Sequence, residues 1–216
     1  MYINLLDGLI KANQYKRNCY DQKEIITNQE CICNKFYLIK NGVVKVSSIT
    51  ERGDEVILFV LSKGQVFGSN PIIDNSYINH SCESLNEETI LYEFDIQHVR
   101  NYIKENHFKY RDILIALGNQ YFQLERRIQT LTNNSAEHRL INALLEFMEK
   151  FESISDNNQS IIIDIPLNQE EISNYIRVTR VTINKIINKL KKDLLIESNQ
   201  QKIILKKSFF DYQKGF

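Results

Sequence analysis

Residues 167–190 read LNQEEISNYIRVTRVTINKIINKL. Two short amphipathic helices separated by a tight turn account for this pattern. Asn168 precedes Gln169, Glu170 and Glu171, so its side chain can cap a helix whose first turn holds acidic residues, the sign that the helix dipole favours. Ile172 and Ile176 lie four residues apart and form that helix's inner face. Thr179 can cap a second helix, whose inner face is Ile183, Ile187 and Leu190. The outer face of the second helix carries Arg180, Val181, Asn184, Lys185 and Asn188, at i, i+1, i+4, i+5 and i+8. These side chains have the chemistry that major-groove reading needs. Arg180 can donate two parallel hydrogen bonds to guanine O6 and N7, Val181 suits a thymine methyl, and Lys185 can reach guanine or phosphate. Thr179 and Thr182 are candidate phosphate contacts, which position without specifying, and Gln169 is a further candidate DNA contact. A helical hairpin with a solvated basic face would explain part of the pattern, but not the ordered reading face.

The sequence that follows adds to the DNA reading. Leu194–Glu197 and Ile203–Leu205 flank Ser198-Asn199-Gln200, which predicts a two-stranded wing, with Lys202, Lys206 and Lys207 available to phosphates. Between residues 177 and 207 lie Arg177, Arg180, Lys185, Lys189, Lys191, Lys192, Lys202, Lys206 and Lys207, against Asp193 and Glu197 alone, a local charge of +7. The whole chain has a formal net charge of +0, so the remainder carries −7. A polyanion such as double-stranded DNA is the expected partner of the basic end.

Upstream the period changes. Leu114, Leu117, Tyr121, Leu124, Ile128 and Leu131 recur in steps of 3, 4, 3, 4 and 3, a heptad seam that fits a parallel partner helix. A homodimer joined along this helix is expected, although a helix packed on its own domain would share the pattern. Asn133-Asn134-Ser135 ends the seam. A second helix is predicted over 136–151, with Leu140, Leu144, Leu145 and Met148 on one face. Residues 152–160 read as a polar loop, and Ile161-Ile162-Ile163 as a short strand closed by Pro166.

Residues 20–100 read as short strands. Phe36–Ile39 stops at Asn41-Gly42, a hairpin signal, and Val43–Val46 resumes beyond it. Arg52-Gly53-Asp54 and Lys63-Gly64 bracket Val56–Leu61, Val66-Phe67-Gly68 follows, and Thr89–Phe94 alternates. Closely spaced strands with glycine turns predict a small antiparallel barrel or jelly roll. The fold class is therefore α+β: an N-terminal β-roll over 1–107, a dimerisation helix over 108–134 and a C-terminal winged helix-turn-helix over 135–216.

Composition narrows the function classes. With 43% apolar and 25% charged residues, the chain has enough apolar material for real cores. No apolar run reaches the length of a membrane span, and the N-terminus lacks the order of a signal peptide. Cys19, Cys31, Cys33 and Cys82 are expected to be free thiols, and the four histidines have no metal-ligand spacing. No nucleophile–base motif, phosphate-cradling glycine loop or metal cluster marks an enzyme. Abundant Ile and Asn beside scarce Gly and Pro suggest an AT-rich genome, as in plastids or some bacteria.

From about residue 30 onward the chain resembles the CRP/FNR family of bacterial regulators. The resemblance rests on Tyr37–Ile39 to Gly42–Val46, on Gly53-Asp54-Glu55, on Gly64–Gly68, and on Thr179-Arg180-Val181-Thr182-Ile183-Asn184-Lys185. The last segment looks most like the NtcA branch, the global nitrogen regulators of cyanobacteria and their plastid-encoded relatives. That likeness implies an activator whose Arg180 and Val181 read a GTA half-site within GTA-N8-TAC, a contact with RNA polymerase, and residence in the plastid stroma or a bacterial cytoplasm. Lys185 stands where the branch has a second arginine, and Arg177 where the family has a turn glycine. The branch binds 2-oxoglutarate, which implies effector contacts at Phe67, Gly68, Ser69 and Asn70 and, on the long helix, at positions held here by Gln120 and Glu125. The branch's helix arginine falls on Gln120, and its loop arginine has no counterpart. Arg126 or Arg127 are candidates to replace them. The Gly-Glu and Arg-Ser pairs of cyclic-nucleotide binders are absent, since Gly68 is followed by Ser69-Asn70-Pro71 and no Lys or Arg occurs from Ile72 to Leu85. Cys31-Ile32-Cys33 with Cys19 and Cys82 matches the spacing of iron–sulfur relatives poorly. The signal is thus 2-oxoglutarate, another ligand, redox state, or none.

Overall fold

The computed structural model describes residues 2–70, 77–154, 160–199 and 202–213; Pro71, Ile72, Gln200 and the middle of the expected polar loop, 155–159, lie outside them. Contacts divide the chain into two compact units, residues 1–124 and 125–216, and the division falls inside the expected dimerisation helix.

The first unit opens with α1 (Tyr2–Lys11) and continues through β1 (Lys16–Tyr20), β2 (Ile25–Thr27), β3 (Cys31–Ile32), β4 (Lys35–Asn41), β5 (Val44–Ile49), β6 (Glu55–Leu61), β7 (Val66–Gly68), β8 (Tyr77–Ile78), β9 (Ser81–Ser84) and β10 (Thr89–Asp95) to α2 (Ile96–Glu105). The strands make two four-stranded antiparallel sheets, in orders β1-β10-β4-β7 and β2-β9-β5-β6, and β3 pairs with β8. This is the jelly roll expected from the strand spacing. β4 is buried on both faces, which explains its unbroken apolar run. Phe36 and Leu38 pack with Leu6, Leu9, Val99 and Ile103 of the helices. Tyr37 and Ile39 face the other way, into a cluster with Val44, Val46, Phe67, Cys82 and Leu91, as strand alternation requires.

The Asn41-Gly42 hairpin is not formed. β4 pairs with β10 and β7, β5 pairs with β6 and β9, and the chain crosses from one sheet to the other at Gly42. Gly42 has φ +91°, and a Cβ there would lie 2.6 Å from Thr89 Oγ1 and 2.9 Å from Thr89 Cα. Glycine is required because another strand's backbone passes against it, a role that leaves the same local signature as a tight turn.

α3 (Tyr110–Thr132) is a 23-residue helix that spans the division. Of the expected seam, Leu114, Tyr121, Leu124 and Ile128 are exposed by 69, 64, 46 and 60%, while Leu117 and Leu131 are half-buried. The helix's other side, with Ile113 and Ala116 in the first unit and Arg127 and Thr130 in the second, is buried.

The second unit adds α4 (Ala136–Phe151), β11 (Glu152–Ile154), β12 (Ser160–Asp164), α5 (Gln169–Ile176), α6 (Arg180–Lys192), β13 (Ile196–Asn199), β14 (Lys202–Lys206) and α7 (Lys207–Gln213). The wing is present as β13 and β14, and it extends into one sheet of order β11-β12-β14-β13. Two expectations change here. Residues 152–154 form a strand against β12 where a loop was expected, because Glu152-Ser153-Ile154 is too short to show a strand's period. The buried face of α4 is Leu140, Ile141, Ala143, Leu144 and Phe147, with Leu145 and Met148 only half-buried. α7, anchored by the fully buried Phe209, has no sequence signal of its own length or period.

Candidate nucleic-acid interface

α5 begins with a complete capping box. Asn168 Oδ1 accepts from the backbone N–H of Glu170 at 2.9 Å and of Glu171 at 3.0 Å, and Glu171 Oε2 accepts from Asn168 N–H at 2.9 Å. Such a cap contributes about 1 kcal/mol to an eight-residue helix that would not persist alone. The helix ends at Arg177 in the left-handed conformation, φ 56° and ψ 56°, the geometry implied by the family's turn glycine. Two residues on, Thr179 caps α6, accepting from Thr182 N–H at 3.2 Å. The Thr179 and Thr182 hydroxyls also share a 2.9 Å hydrogen bond, so one of their two protons is already used and only the other can go to a phosphate.

Ile183, Ile187 and Leu190 are buried on α6, and burying each stabilises the unit by about 1.5–3 kcal/mol. The outer face stays in water. Gln169, Thr179, Arg180, Lys185 and Asn188 are exposed, Thr182 and Asn184 are half-exposed, and Val181 is 64% exposed. The basic residues around this face separate into two groups. Lys189 is held by Glu137 at 2.7 Å, and the same carboxylate accepts from Tyr212 Oη at 2.7 Å. Lys206 pairs with Glu197 at 2.6 Å, and Lys191 donates to Ser198 O at 3.3 Å. These three lysines have partners within the unit. Among the described residues no acceptor engages Arg180 or Lys185, the two cations of the reading face.

The turn between the helices is held from outside by residues that the sequence did not announce. The Arg127 guanidinium lies 3.7 Å over the Tyr175 ring and donates to Tyr175 O. Tyr175 Oη donates to Glu146 Oε2 at 2.6 Å, and Glu146 pairs with Lys150 at 2.8 Å. Burial opposes the Glu146 charge, but Lys150 and the Tyr175 hydroxyl hold its carboxyl below the usual range. Burial, then Glu146, push the Tyr175 phenol well above its ordinary value, so it stays a donor. Arg139 donates through Nε to Ile176 O at 2.9 Å, through Nη1 to Asn133 O at 2.6 Å and through Nη2 to Arg177 O at 3.5 Å. The only hint in the sequence was indirect: a non-glycine residue at a left-handed turn needs support from elsewhere.

The first unit has a cavity of about 230 Å³ lined by Val46, Leu58, Phe59, Leu61, Gln65, Val66, Phe67, Gly68, His80, Asn119, Gln120, Gln123 and Leu124. It brings together Phe67, Gly68 and Gln120 of the expected effector contacts. Ser69 is buried with its hydroxyl donated to Cys33 O, Asn70 is half-buried outside the lining, and Glu125 is an exposed residue of the second unit. Among the described residues the lining contains no lysine or arginine, and burial lowers the pKa of His80, disfavouring its charged form. Arg126 is paired with Glu149 at 2.9 Å, and Arg127 is stacked on Tyr175. The two candidate replacement cations are thus committed within the second unit. Cys33 and Cys82 lie in one core cluster with Cys31 packed against it, and burial pushes the Cys82 thiol up to about 12; among the described residues no group of three or more His, Cys, Asp or Glu is placed to hold a metal.

Comparison with known proteins agrees with this architecture. Residues 17–106 match a model of the cyclic nucleotide-binding domain and residues 138–208 a model of the Crp-like helix-turn-helix domain. The global nitrogen regulator of Nostoc sp. is 26% identical over 174 residues, 80% of this chain and 77% of that protein. The ycf28 HTH-type transcriptional regulator of Porphyra purpurea is 25% identical over 175 residues, 80% and 71% of the two chains. Among solved structures, FixK2 from Bradyrhizobium japonicum superposes with a TM-score of 0.80 at 15% identity, covering 92% of this chain and 96% of its own. A CooA mutant from Carboxydothermus hydrogenoformans gives 0.79 at 23% identity, with coverage of 98% and 94%.

A jelly roll, a long helix and a winged helix-turn-helix with an exposed outer face define a DNA-binding transcriptional regulator and not an enzyme. The chain belongs to the CRP/FNR family.

Proposed function

We propose that the protein is a homodimeric activator of nitrogen-related genes that reads a GTA-N8-TAC palindrome and recruits RNA polymerase. The observation that carries this reading is the outer face of α6, where Arg180, Val181, Asn184, Lys185 and Asn188 stand in water on a helix whose inner face is buried. Arg180 reads guanine and Val181 the adjacent thymine methyl. Gln169, Thr179 and Thr182 hold the neighbouring backbone. The exposed stripe Leu114, Tyr121, Leu124 and Ile128, extended by half-buried Leu117 and Leu131, supports a parallel seam that brings two reading heads to half-sites about one helical turn apart. The nitrogen role rests on the relatives named above. Composition and the Porphyra relative support the plastid stroma, with a bacterial cytoplasm as the alternative. No helix among the described residues is long and apolar enough to cross a membrane.

A second reading concerns the signal. Phe67, Gly68, Ser69, Asn70, Gln120 and Glu125 were the expected 2-oxoglutarate contacts, but a dianion in a cavity without lysine or arginine would be desolvated without compensation. This favours a regulator whose cavity takes a different ligand or none. The test of both readings is fluorescence anisotropy at physiological salt on GTA-N8-TAC and scrambled duplexes, with and without millimolar 2-oxoglutarate. Preference for the palindrome is expected in both conditions. Equal binding of the two duplexes would refute the half-site, and a 2-oxoglutarate-dependent preference would restore the nitrogen effector.

A further inference from the structure

We propose that Arg127 and Arg139 are positioning residues that fix α6 relative to the long helix and thereby set which half-site spacing the dimer accepts; this rests on the dimeric palindrome reading above. A helix C-terminus leaves its last carbonyls without intrahelical donors. At the end of α5 these include the carbonyls of Tyr175 and Ile176, followed by that of the cap residue Arg177, and two guanidiniums take all three. Arg127 donates to the first and Arg139 to the second and third. Cations at this end of a helix are favoured by its dipole, and a planar fork serves several acceptors at once where an ammonium serves as a point charge.

The origins of these two arginines give the arrangement its meaning. Arg139 is on α4 and also holds Asn133 O, the residue just after α3, at 2.6 Å. Arg127 is on α3 itself, next to Ile128. Arg127 is 6% exposed and Ile128 is 60% exposed, so one turn of helix grips the reading head on one side and offers the apolar stripe on the other. The gripped turn lies two residues before Thr179, the cap of α6. A partner seated on the stripe therefore fixes the orientation of α3, and the two arginines carry that orientation to α6. Arg177, held left-handed with its carbonyl bound, is the joint.

The experiment measures binding of the full chain to GTA-N7-TAC, GTA-N8-TAC and GTA-N9-TAC by anisotropy, for the wild type, Arg127→Lys, Arg139→Lys and the double variant Arg139→Lys/Arg177→Gly, with the Tm of each. The wild type is expected to favour N8. Each lysine variant is expected to lose about tenfold on N8, the scale of a lost charge-assisted hydrogen bond, with little change on N7 and N9, so that the spacing preference collapses. Arg177→Gly relieves the left-handed turn and is expected to restore the Tm of Arg139→Lys without restoring the preference. Lysine variants that keep the N8 preference overturn the proposal. So does a double variant that regains preference along with Tm, since stability alone would then explain the loss. A wild type indifferent to spacing overturns the palindrome reading and this inference together, a result distinct from a selective wild type with equally selective variants.

Discussion

The outer face of α6 and the cavity of the jelly roll are two candidate ligand surfaces, and their chemistry is opposite. On α6 the side chains toward solvent include Arg180 and Lys185, which no internal acceptor engages among the described residues, while Lys189 and Lys206 are tied to Glu137 and Glu197. Among the described residues the cavity's polar groups are His80 and the amides of Gln65, Asn119, Gln120 and Gln123, with no lysine or arginine. A polyanion is matched by the first surface and left unmatched by the second. On the proposed reading, the chain keeps the cations that face DNA while its jelly-roll cavity offers none to an anion, so the two chemistries are separable.

Substitutions can break or sharpen that contrast. The largest effect is expected from Ile128→Glu, which buries unpaired charges in the seam. On the proposed dimer it should cost roughly 3–5 kcal/mol, producing a monomer by sedimentation velocity and abolishing palindrome binding, while the cavity unit keeps its fold. A dimer that persists would remove the seam from the argument. Arg180→Ala should weaken binding to GTA-N8-TAC by about 1–3 kcal/mol and relax discrimination at the guanine, read by anisotropy against base-substituted duplexes. Uniform weakening on every sequence would make Arg180 a phosphate contact instead. Arg177→Gly should raise the stability of the second unit by about 1 kcal/mol by relieving its left-handed residue, seen as a higher Tm. Glu146 tests the electrostatics behind the reading head. Its folded pKa is depressed, so its contribution is complete above the unfolded carboxylate value of about 4.3 and is lost as pH falls through the lower folded value. Glu146→Gln should therefore flatten the acid side of the stability profile measured by denaturant unfolding. The smallest effect belongs to the cavity: millimolar 2-oxoglutarate should leave DNA affinity within about twofold, less than 0.5 kcal/mol.

The reading head was legible in the sequence because its information is local. Asn168, Glu171, Thr179 and the spacing of Ile172, Ile176, Ile183, Ile187 and Leu190 specify caps and faces within a few residues of each other. The exposed stripe on α3 was legible for the same reason. What holds the turn was not, since Arg127 and Arg139 act on carbonyls 48 and 37 residues away, and nothing in the periodicity of α3 or α4 marks an arginine as inward-facing. Gly42 was read as a hairpin because a close approach to Thr89 and a tight turn both select glycine. The strand at 152–154 and the helix after β14 were missed because so short a strand and anchoring by a single phenylalanine leave no repeating pattern.

The crossing at Gly42 has a consequence for the order in which the chain acquires structure as it is made. β1 pairs with β10 in the register Lys16 to Glu93, and β4 closes on the same strand, Tyr37 to Glu93. Until residues 89–95 have been synthesised β1 lacks its partner strand, and β4 has only the three-residue β7. Long-separation pairings of this kind are slow to close and leave edges unprotected meanwhile. Translation pauses or truncations before residue 95 should therefore yield an open, aggregation-prone nascent chain. The second unit mixes a short closure, β11 on β12, with a long one, Tyr212 to Glu137, so it too is complete only once residue 212 has been made.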